Sequence, residues 1–136
     1  MNDRSMDLRV FREAVESTGH AIYWTDTTGR IEYVNPAFEE QTGYTAEEAI
    51  GSNAHILQSG VHDTQFYDRL WETILNGDVW EGQIINERKN GARYVVKQTI
   101  SPVTDDSGEI VRFVAVNEDI TDLRETQEYL QQERDR

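Results

Sequence analysis

Asn86 and Asn117 interrupt apolar runs that have the composition of β-strands. Asn86 follows Ile84 and Ile85, and Asn117 follows the run Val114–Val116. An amide buried in such a strand must find hydrogen-bond partners, because leaving them unmade costs about 1–3 kcal/mol. A pocket on that side of the strands would therefore suit a ligand with a polar edge. The alternative is that each amide lies near a strand end and bonds to solvent or to a turn.

The sequence carries no recognisable catalytic apparatus. It has no cysteines, which excludes thiolate catalysis, disulfides, cysteine-ligated zinc and iron–sulfur clusters. The three histidines, His20, His55 and His62, are too scattered to predict a metal site, and we expect His55 and His62 at polar helix ends. Neither a Gly-x-x-x-x-Gly-Lys phosphate loop nor a Gly-x-Ser-x-Gly elbow is present. These features favour a regulatory domain over an enzyme.

Apolar periodicity and turn residues predict the elements that would carry the two amides. Leu8, Phe11 and Val15, at i, i+3 and i+7 spacing, predict a helix over residues 7–17. Strands are predicted from runs rich in β-branched and aromatic residues, separated by turns that end in glycine. The predicted strands are residues 21–25, 30–34, 80–87, 94–103 and 109–118. Helices gathered between strands of an antiparallel sheet indicate an α+β fold.

Capping signals mark the helices in the middle of the chain. Asn35-Pro36 ends the second strand and begins a helix, since proline suits a first helical turn. Residues 45–48 have the pattern of a capping box. A longer helix is predicted from about Asp63 to Leu75, with Asn76-Gly77 as its stop. Phe66, Leu70 and Ile74 form its apolar stripe.

Several short fragments, taken in this order of elements, resemble the PAS family of sensory domains. The fragments are Asn35–Phe38, Thr42–Tyr44, Glu48–Gly51 and Asp119–Thr121. The resemblance covers roughly residues 11–122. It implies a five-stranded antiparallel sheet of order 2-1-5-4-3 with short helices over one face. It also implies a pocket between sheet and helices, and a non-enzymatic sensor that signals through flanking helices.

A second set of fragments is similar to the flavin-holding PAS domains, which include redox sensors of nitrogen-fixation regulation and aerotaxis receptors. The fragments are residues 53–60, 70–71, 77–82 and 86–91. Light-sensing members of this branch, the LOV domains, carry a cysteine that bonds to the excited flavin. In the matching run, residues 51–58, Ala54 stands at that position and His55 stands where an arginine would pair with flavin phosphate. The resemblance therefore implies a flavin without cysteinyl photochemistry.

The same resemblance implies the residues that would hold the cofactor. Asn86 would bond the polar edge of the ring, while Val96 stands where a second asparagine is usual. Asn117 matches the glutamine that relays the signal, and Trp80 would lie beside an aromatic ligand. The full predicted set is Asn53, Leu57, Gln58, Ser59, Leu70, Trp80, Asn86 and Asn117.

The expected cofactor is FAD, with FMN or another planar aromatic ligand as alternatives. No metal is expected. Haem is disfavoured because haem-binding relatives carry their ligand on the longer helix, where residues 63–75 contain no histidine. Two other functions stay open. One is a dimerisation module without cofactor, and the other is a sensor of a colourless aromatic metabolite.

The charge balance restricts the partners. Asp and Glu number 26 against 13 Lys and Arg, a net charge of −13. Such a charge argues against nucleic acid or an anionic membrane as direct partner. Abundant carboxylates with only two lysines, Lys89 and Lys97, are typical of salt-accumulating archaea, although an ordinary acidic signalling domain fits as well. No apolar stretch approaches the roughly 18–20 residues of a membrane span, so a cytoplasmic location is expected.

The domain organisation follows from these assignments. Residues 1–10 are expected to form an N-terminal helical flank, residues 11–122 the sensor domain, and residues 123–136 the start of a C-terminal linker helix. Leu123 and Leu130 are seven residues apart, as a heptad seam requires. The alternative is a solvated, frayed helix. We expect a homodimer formed through the flanking helices and a downstream signalling domain of histidine kinase or transducer type.

Overall fold

The computed structural model describes residues 9–10 and 13–135. One antiparallel sheet has the strand order β2-β1-β5-β4-β3. Its strands are β1 (Ala21–Thr25), β2 (Ile31–Val34), β3 (Trp80–Glu87), β4 (Arg93–Thr104) and β5 (Ile110–Asp119). The helices are α1 (Pro36–Thr42), α2 (Ala46–Ala49), a 3-10 helix (Ala54–Leu57), α3 (Thr64–Leu75) and α4 (Thr121–Arg134). The predicted α+β class and strand order are confirmed.

The differences from the predicted element bounds are small and local. The second strand starts at Ile31, because Arg30 forms an isolated bridge to Asn53 instead of joining the strand ladder. Both β4 and β5 continue one residue beyond their predicted ends. Residues 9–10 and 13–17 have helical backbone, whereas Leu8 and Phe11 of the predicted N-terminal stripe lie outside the described residues.

One face of the sheet and the helices share the main core. Phe113, Ala115 and Asn117 alternate along β5 and are all buried, as the strand period requires. Phe38 of α1 lies edge-on to Tyr23 of β1, with ring centroids 5.5 Å apart. Leu70 and Ile74 of α3 complete this cluster, so the predicted stripe of that helix faces inward. The short helices therefore lie over the pocket side of the sheet.

The helix starts are set by side-chain caps. Thr45 and Glu48 form the predicted capping box in both directions, and Asp63 caps α3 by accepting from the backbone of Phe66. Asn35 is fully buried before α1, and its Oδ1 accepts from the backbone nitrogens of Ile22 at 2.9 Å and Phe38 at 3.0 Å.

The other end of the Asn35 side chain is also fully engaged. Its Nδ2 donates to the carbonyl oxygens of Val15 and His20, both at 2.9 Å. This single amide therefore joins the N-terminal segment, β1 and α1. Among the described residues, no helix is long and apolar enough to cross a membrane.

Candidate ligand-binding cavity

A cavity of about 80 Å³ lies between the inner face of the sheet and the helices. Its walls are mainly apolar, and its one exposed lining residue is His55, so the cavity reaches the surface beside the 3-10 helix. Side chains from every strand except β2 line it, together with residues from the 3-10 helix and α3. The apolar part of the wall consists of Ala54, Leu57, Leu70, Trp71, Ile74, Ile84, Ile100, Phe113 and Ala115.

A cluster of buried amides forms the polar side of this region. Asn86 and Gln98 are each 3% exposed, and Asn117 is fully buried. Gln98 Nε2 donates to Asn117 Oδ1 at 2.9 Å and to the Tyr23 hydroxyl at 3.3 Å. Burial raises the pKa of Tyr23 to about 12, so its hydroxyl keeps its proton at neutral pH. Within the described part of the chain, Asn117 Nδ2 has no hydrogen-bond partner.

The predicted site residues divide into two groups. Asn53, Leu57, Gln58, Leu70 and Asn86 line the cavity. That these five hold a cofactor stays a prediction.

The other three predicted residues lie close by but outside the lining. Ser59 Oγ donates to the carbonyl oxygen of Ile85 at 2.7 Å. Trp80 faces the helices but packs edge-on against Phe66, with centroids 5.8 Å apart. Asn117 is not in the lining, and its Oδ1 accepts from the lining residue Gln98 at 2.9 Å.

Besides the exposed His55, the polar lining residues outside the predicted set are Tyr23, Thr25, Tyr67 and Gln98. Gln98 alternates with Tyr94, Val96 and Ile100 along β4, and all four are buried on the same face. Val96, where the resemblance expects an asparagine, is fully buried two residues away. The period of two along residues 94–100 was the signal that could have identified Gln98.

The outer edge of β3 is covered by the segment that precedes α3. Gln58 forms an isolated bridge to Asn86, and the ring of His62 stacks on Phe66 with centroids 4.1 Å apart. His62 Nε2 accepts a hydrogen bond from the backbone nitrogen of Ile85 at 2.9 Å. These contacts attach a cavity-lining segment to an otherwise unpaired strand edge.

Directly after β3, Arg88 connects three elements. Its guanidinium pairs with Asp119 at 2.9 Å, donates to the carbonyl oxygen of Gln41, and lies 4.1 Å from the ring centroid of Tyr94. Burial alone would raise the pKa of Asp119, but hydrogen bonds from Thr121 and Arg88 outweigh it and hold that pKa below its usual value.

The first turn of α4 is attached to the sheet through Thr121. Asp119 Oδ1 accepts from the backbone nitrogen and the hydroxyl of Thr121, at 3.0 and 2.6 Å. Thr121 Oγ1 in turn accepts from the backbone nitrogen of Val95 at 3.0 Å. The start of α4 thus depends on a carboxylate two residues beyond the buried amide of Asn117.

Comparison with known proteins decides the family. The model of the PAS domain matches residues 19–122. The chain belongs to the PAS domain family. It is 37% identical over 112 residues to the nitrogen fixation regulatory protein of Klebsiella oxytoca, covering 82% of this chain. It is 38% identical over 91 residues to the blue-light photoreceptor of Listeria innocua, covering 67% of this chain.

A solved structure gives the same fold. The chain superposes on an RNA-binding light-oxygen-voltage receptor with a TM-score of 0.85 and 28% identity, over 98% of this chain and 38% of that one. This PAS domain spans 23% of the Klebsiella regulator and 36% of the Listeria photoreceptor. These relatives are regulators or receptors by name, so the chain is a PAS sensory domain.

The cavity of this PAS domain can be tested against the flavin ring that the sequence predicts. The lining amides of Asn86 and Gln98 suit the donors and acceptors at the polar edge of such a ring. The cavity volume of about 80 Å³ is smaller than the roughly 300–1,000 Å³ that is usual for ligand pockets. The polar groups fit, and the helical wall must move outward to admit the whole ring.

A metal site has no such support. Across residues 9–10 and 13–135, no group of three or more His, Asp or Glu side chains could hold a metal ion.

The His62 contact makes the PAS domain sensitive to acid. Burial lowers the pKa of His62 below its ordinary value of 6.5, against the opposing charge of Asp63. The neighbouring rings are Phe66 and Tyr67, and β3 contributes the backbone nitrogen of Ile85. Protonation removes the lone pair that accepts from Ile85, so this stabilisation is complete above about pH 6.5 and is lost as the pH falls below that value.

We expect His62→Gln, which keeps an acceptor that does not titrate, to reduce the fall in stability between about pH 7 and pH 5. Denaturant unfolding of both proteins at several pH values measures this. His20→Gln, at an exposed histidine, is the control and should keep the wild-type slope. Equal slopes for wild type and His62→Gln would contradict the assignment.

Proposed function

We propose that this PAS domain binds a flavin, FAD or FMN, in the cavity and reports its redox state to the segment after β5. The observation that carries the proposal is the pair of buried amides in the cavity lining, Asn86 and Gln98, which offer hydrogen-bonding groups within a mainly apolar wall. Amides buried in such a wall have lost their hydrogen bonds to water, and a ligand with a polar edge would replace them. The resemblance of residues 53–60 and 86–91 to flavin-holding PAS domains supports the same ligand.

Different residues would hold the flavin ring and respond to its redox state. Asn86 and Gln98 would orient the polar edge of the ring, and Leu57, Leu70 and Ile84 would exclude water from its faces. A bound flavin supplies reversible reduction accompanied by protonation of a ring nitrogen. That proton changes the atom from acceptor to donor, which reverses the preferred orientation of a neighbouring amide.

The amide of Asn117 is suited to pass that change on. It bonds Gln98 through its side chain, and its backbone oxygen accepts from Gln41 Nε2 at 3.3 Å. Gln41 is also bonded through its carbonyl oxygen to Arg88, the partner of Asp119. Rotation of the Asn117 amide would therefore act on the contacts that hold the first turn of α4. This is a small local change coupled to a second element.

The deciding experiment is an absorbance spectrum of the protein purified in molar salt with added FAD. We expect the two near-ultraviolet and blue bands of oxidised flavin to remain after removal of free FAD, to bleach on reduction and to return in air. A folded protein that retains no flavin would refute the proposal. A single sharp Soret band would indicate haem instead.

We expect Asn117→Ala to retain the flavin but to lose the effect of reduction on α4. Limited proteolysis within residues 121–134, compared between the oxidised and reduced protein, measures the coupling. Ser107→Ala, in the exposed turn between β4 and β5, is the control and should behave as wild type. An unchanged redox difference in Asn117→Ala would exclude this amide as the relay.

The volume of about 80 Å³ favours a second candidate, a PAS domain that holds only a small colourless metabolite or that acts purely in dimerisation. Such a protein would be colourless after purification with FAD. Sedimentation would then distinguish a dimer formed through the flanking helices from a monomer.

The place of the domain in a larger protein is also a proposal. The chain spans less than a quarter of the Klebsiella regulator, and we propose that it serves a larger cytoplasmic protein with a downstream output domain of histidine kinase or transducer type. We propose residues 11–122 as the sensor and residues 123–136 as the linker to that output. The acidic composition supports a halophilic source.

A further inference from the structure

The wall of the cavity differs in charge from the rest of the chain. Asp, Glu, Lys and Arg make up 29% of the sequence. Among the described residues that line the cavity, none is of these four types. Burial raises the pKa values of the lining tyrosines Tyr23 and Tyr67, which keeps both neutral. The remaining ionisable lining residue is His55 at the exposed rim.

Arg30, which is joined to a lining residue, already has partners for its charge. Arg30 bridges through its backbone to Asn53, which lines the cavity, but its guanidinium donates to the carbonyl oxygen of Gly51 at 3.1 Å. The pKa of Asp26 is lowered by hydrogen bonds from Thr28 and, to a smaller extent, by the charge of Arg30. Arg30 therefore has both a hydrogen-bond acceptor and a neighbouring carboxylate.

These features oppose a charged ligand for two separate reasons. An ionic group that enters an uncharged wall loses its hydration without gaining a partner, which is strongly unfavourable. Outside the cavity, the net charge of −13 on the chain repels a doubly charged phosphate over a distance set by the ionic strength. The Debye length is about 10 Å at 0.1 M salt and about 3 Å at 1 M, so only the second effect disappears at high salt.

Building on the proposed function, we infer that the cavity selects the uncharged part of a flavin, the ring and its hydroxylated chain, and gives the phosphate no partner. Riboflavin therefore binds at least as tightly as FMN. The flavin phosphates of FMN or FAD remain in solvent beside the 3-10 helix. The ligand class of this site is a neutral, planar heteroaromatic compound with a polar edge.

The test compares riboflavin and FMN, which share one ring system, by fluorescence-quenching titration of the same protein. We expect FMN to bind about fivefold more weakly at low salt and within about twofold of riboflavin in molar salt. FMN binding more than threefold tighter than riboflavin in either buffer would overturn the inference. If neither flavin binds, the proposed function itself fails, and this inference fails with it.

A charge added at the rim tests the same point independently. We expect His55→Arg to raise the ratio of FMN affinity to riboflavin affinity by about tenfold, because a guanidinium forms a bidentate pair with phosphate. His20→Arg makes the same change of side chain at an exposed site outside the lining, and controls for net charge. Equal gains in FMN affinity from the two variants would mean that the phosphate does not emerge beside His55.

Discussion

Replacing Asn35 with alanine is expected to lower the free energy of unfolding by about 3–5 kcal/mol, which is a large effect for a single side chain. The change leaves the backbone nitrogens of Ile22 and Phe38 without their acceptor, and the carbonyl oxygens of Val15 and His20 without their donor. Asn35 is fully buried, so water has no access to replace these bonds in the unaltered fold. Denaturant unfolding in molar salt, followed by tryptophan fluorescence, measures the loss.

Asp63→Ala is the matched control for the Asn35 substitution. Asp63 is also an N-cap, but it is exposed and accepts a single backbone hydrogen bond, from Phe66 at 2.9 Å. Its loss is expected to cost about 1 kcal/mol. If both variants lost the same amount, Asn35 would be an ordinary helix cap and not a junction of three segments.

The largest functional effect is expected from removing two lining amides together. Asn86→Leu with Gln98→Leu should weaken flavin binding by about 30- to 1,000-fold, since each lost hydrogen bond to the ring edge costs about 1–2 kcal/mol. Both substitutions keep side-chain bulk near that of the original residue, so the apolar wall stays filled. Flavin fluorescence quenching measures the affinity, and circular dichroism verifies the fold.

Thr99→Leu controls for the leucine substitutions. Thr99 follows Gln98 on β4, but it points to the opposite face of the sheet and is half-buried. This variant should bind flavin as wild type does. A folded double variant with affinity within twofold of wild type would show that the amides of Asn86 and Gln98 do not hold the ring.

Much of the fold was predictable because local signals and family resemblance agreed. The caps at Asn35, Thr45 and Asp63 and the stripe of α3 depend on residues within one or two turns of the chain. The strand order, in contrast, pairs β1 with β5, which are distant in sequence, and only the resemblance supplied it. Composition and periodicity alone indicated no more than an α+β sheet.

The cavity was less predictable because its contacts join distant segments. Ser59 and His62 bond to Ile85, 26 and 23 residues away, and no local pattern encodes such pairs. Trp80 is on the expected face, yet contact with Phe66 of α3 keeps its indole out of the lining. Gln98 was overlooked because a glutamine in a predicted strand is usually assigned to the solvent side.

The α4 helix has no buried residue along Thr121–Arg134, although it begins at the contacts of Asp119 and Thr121. An isolated helix of this length is only marginally stable in water, because the free energy gained by propagation barely offsets the free energy lost in nucleation. Once the first turn is released, the helical and unwound states of α4 are nearly equal in free energy. Under those conditions, a difference of about 1.4 kcal/mol at the sheet changes the population ratio tenfold. A helix this weakly stable would therefore change its population in response to a small free-energy difference at the sheet.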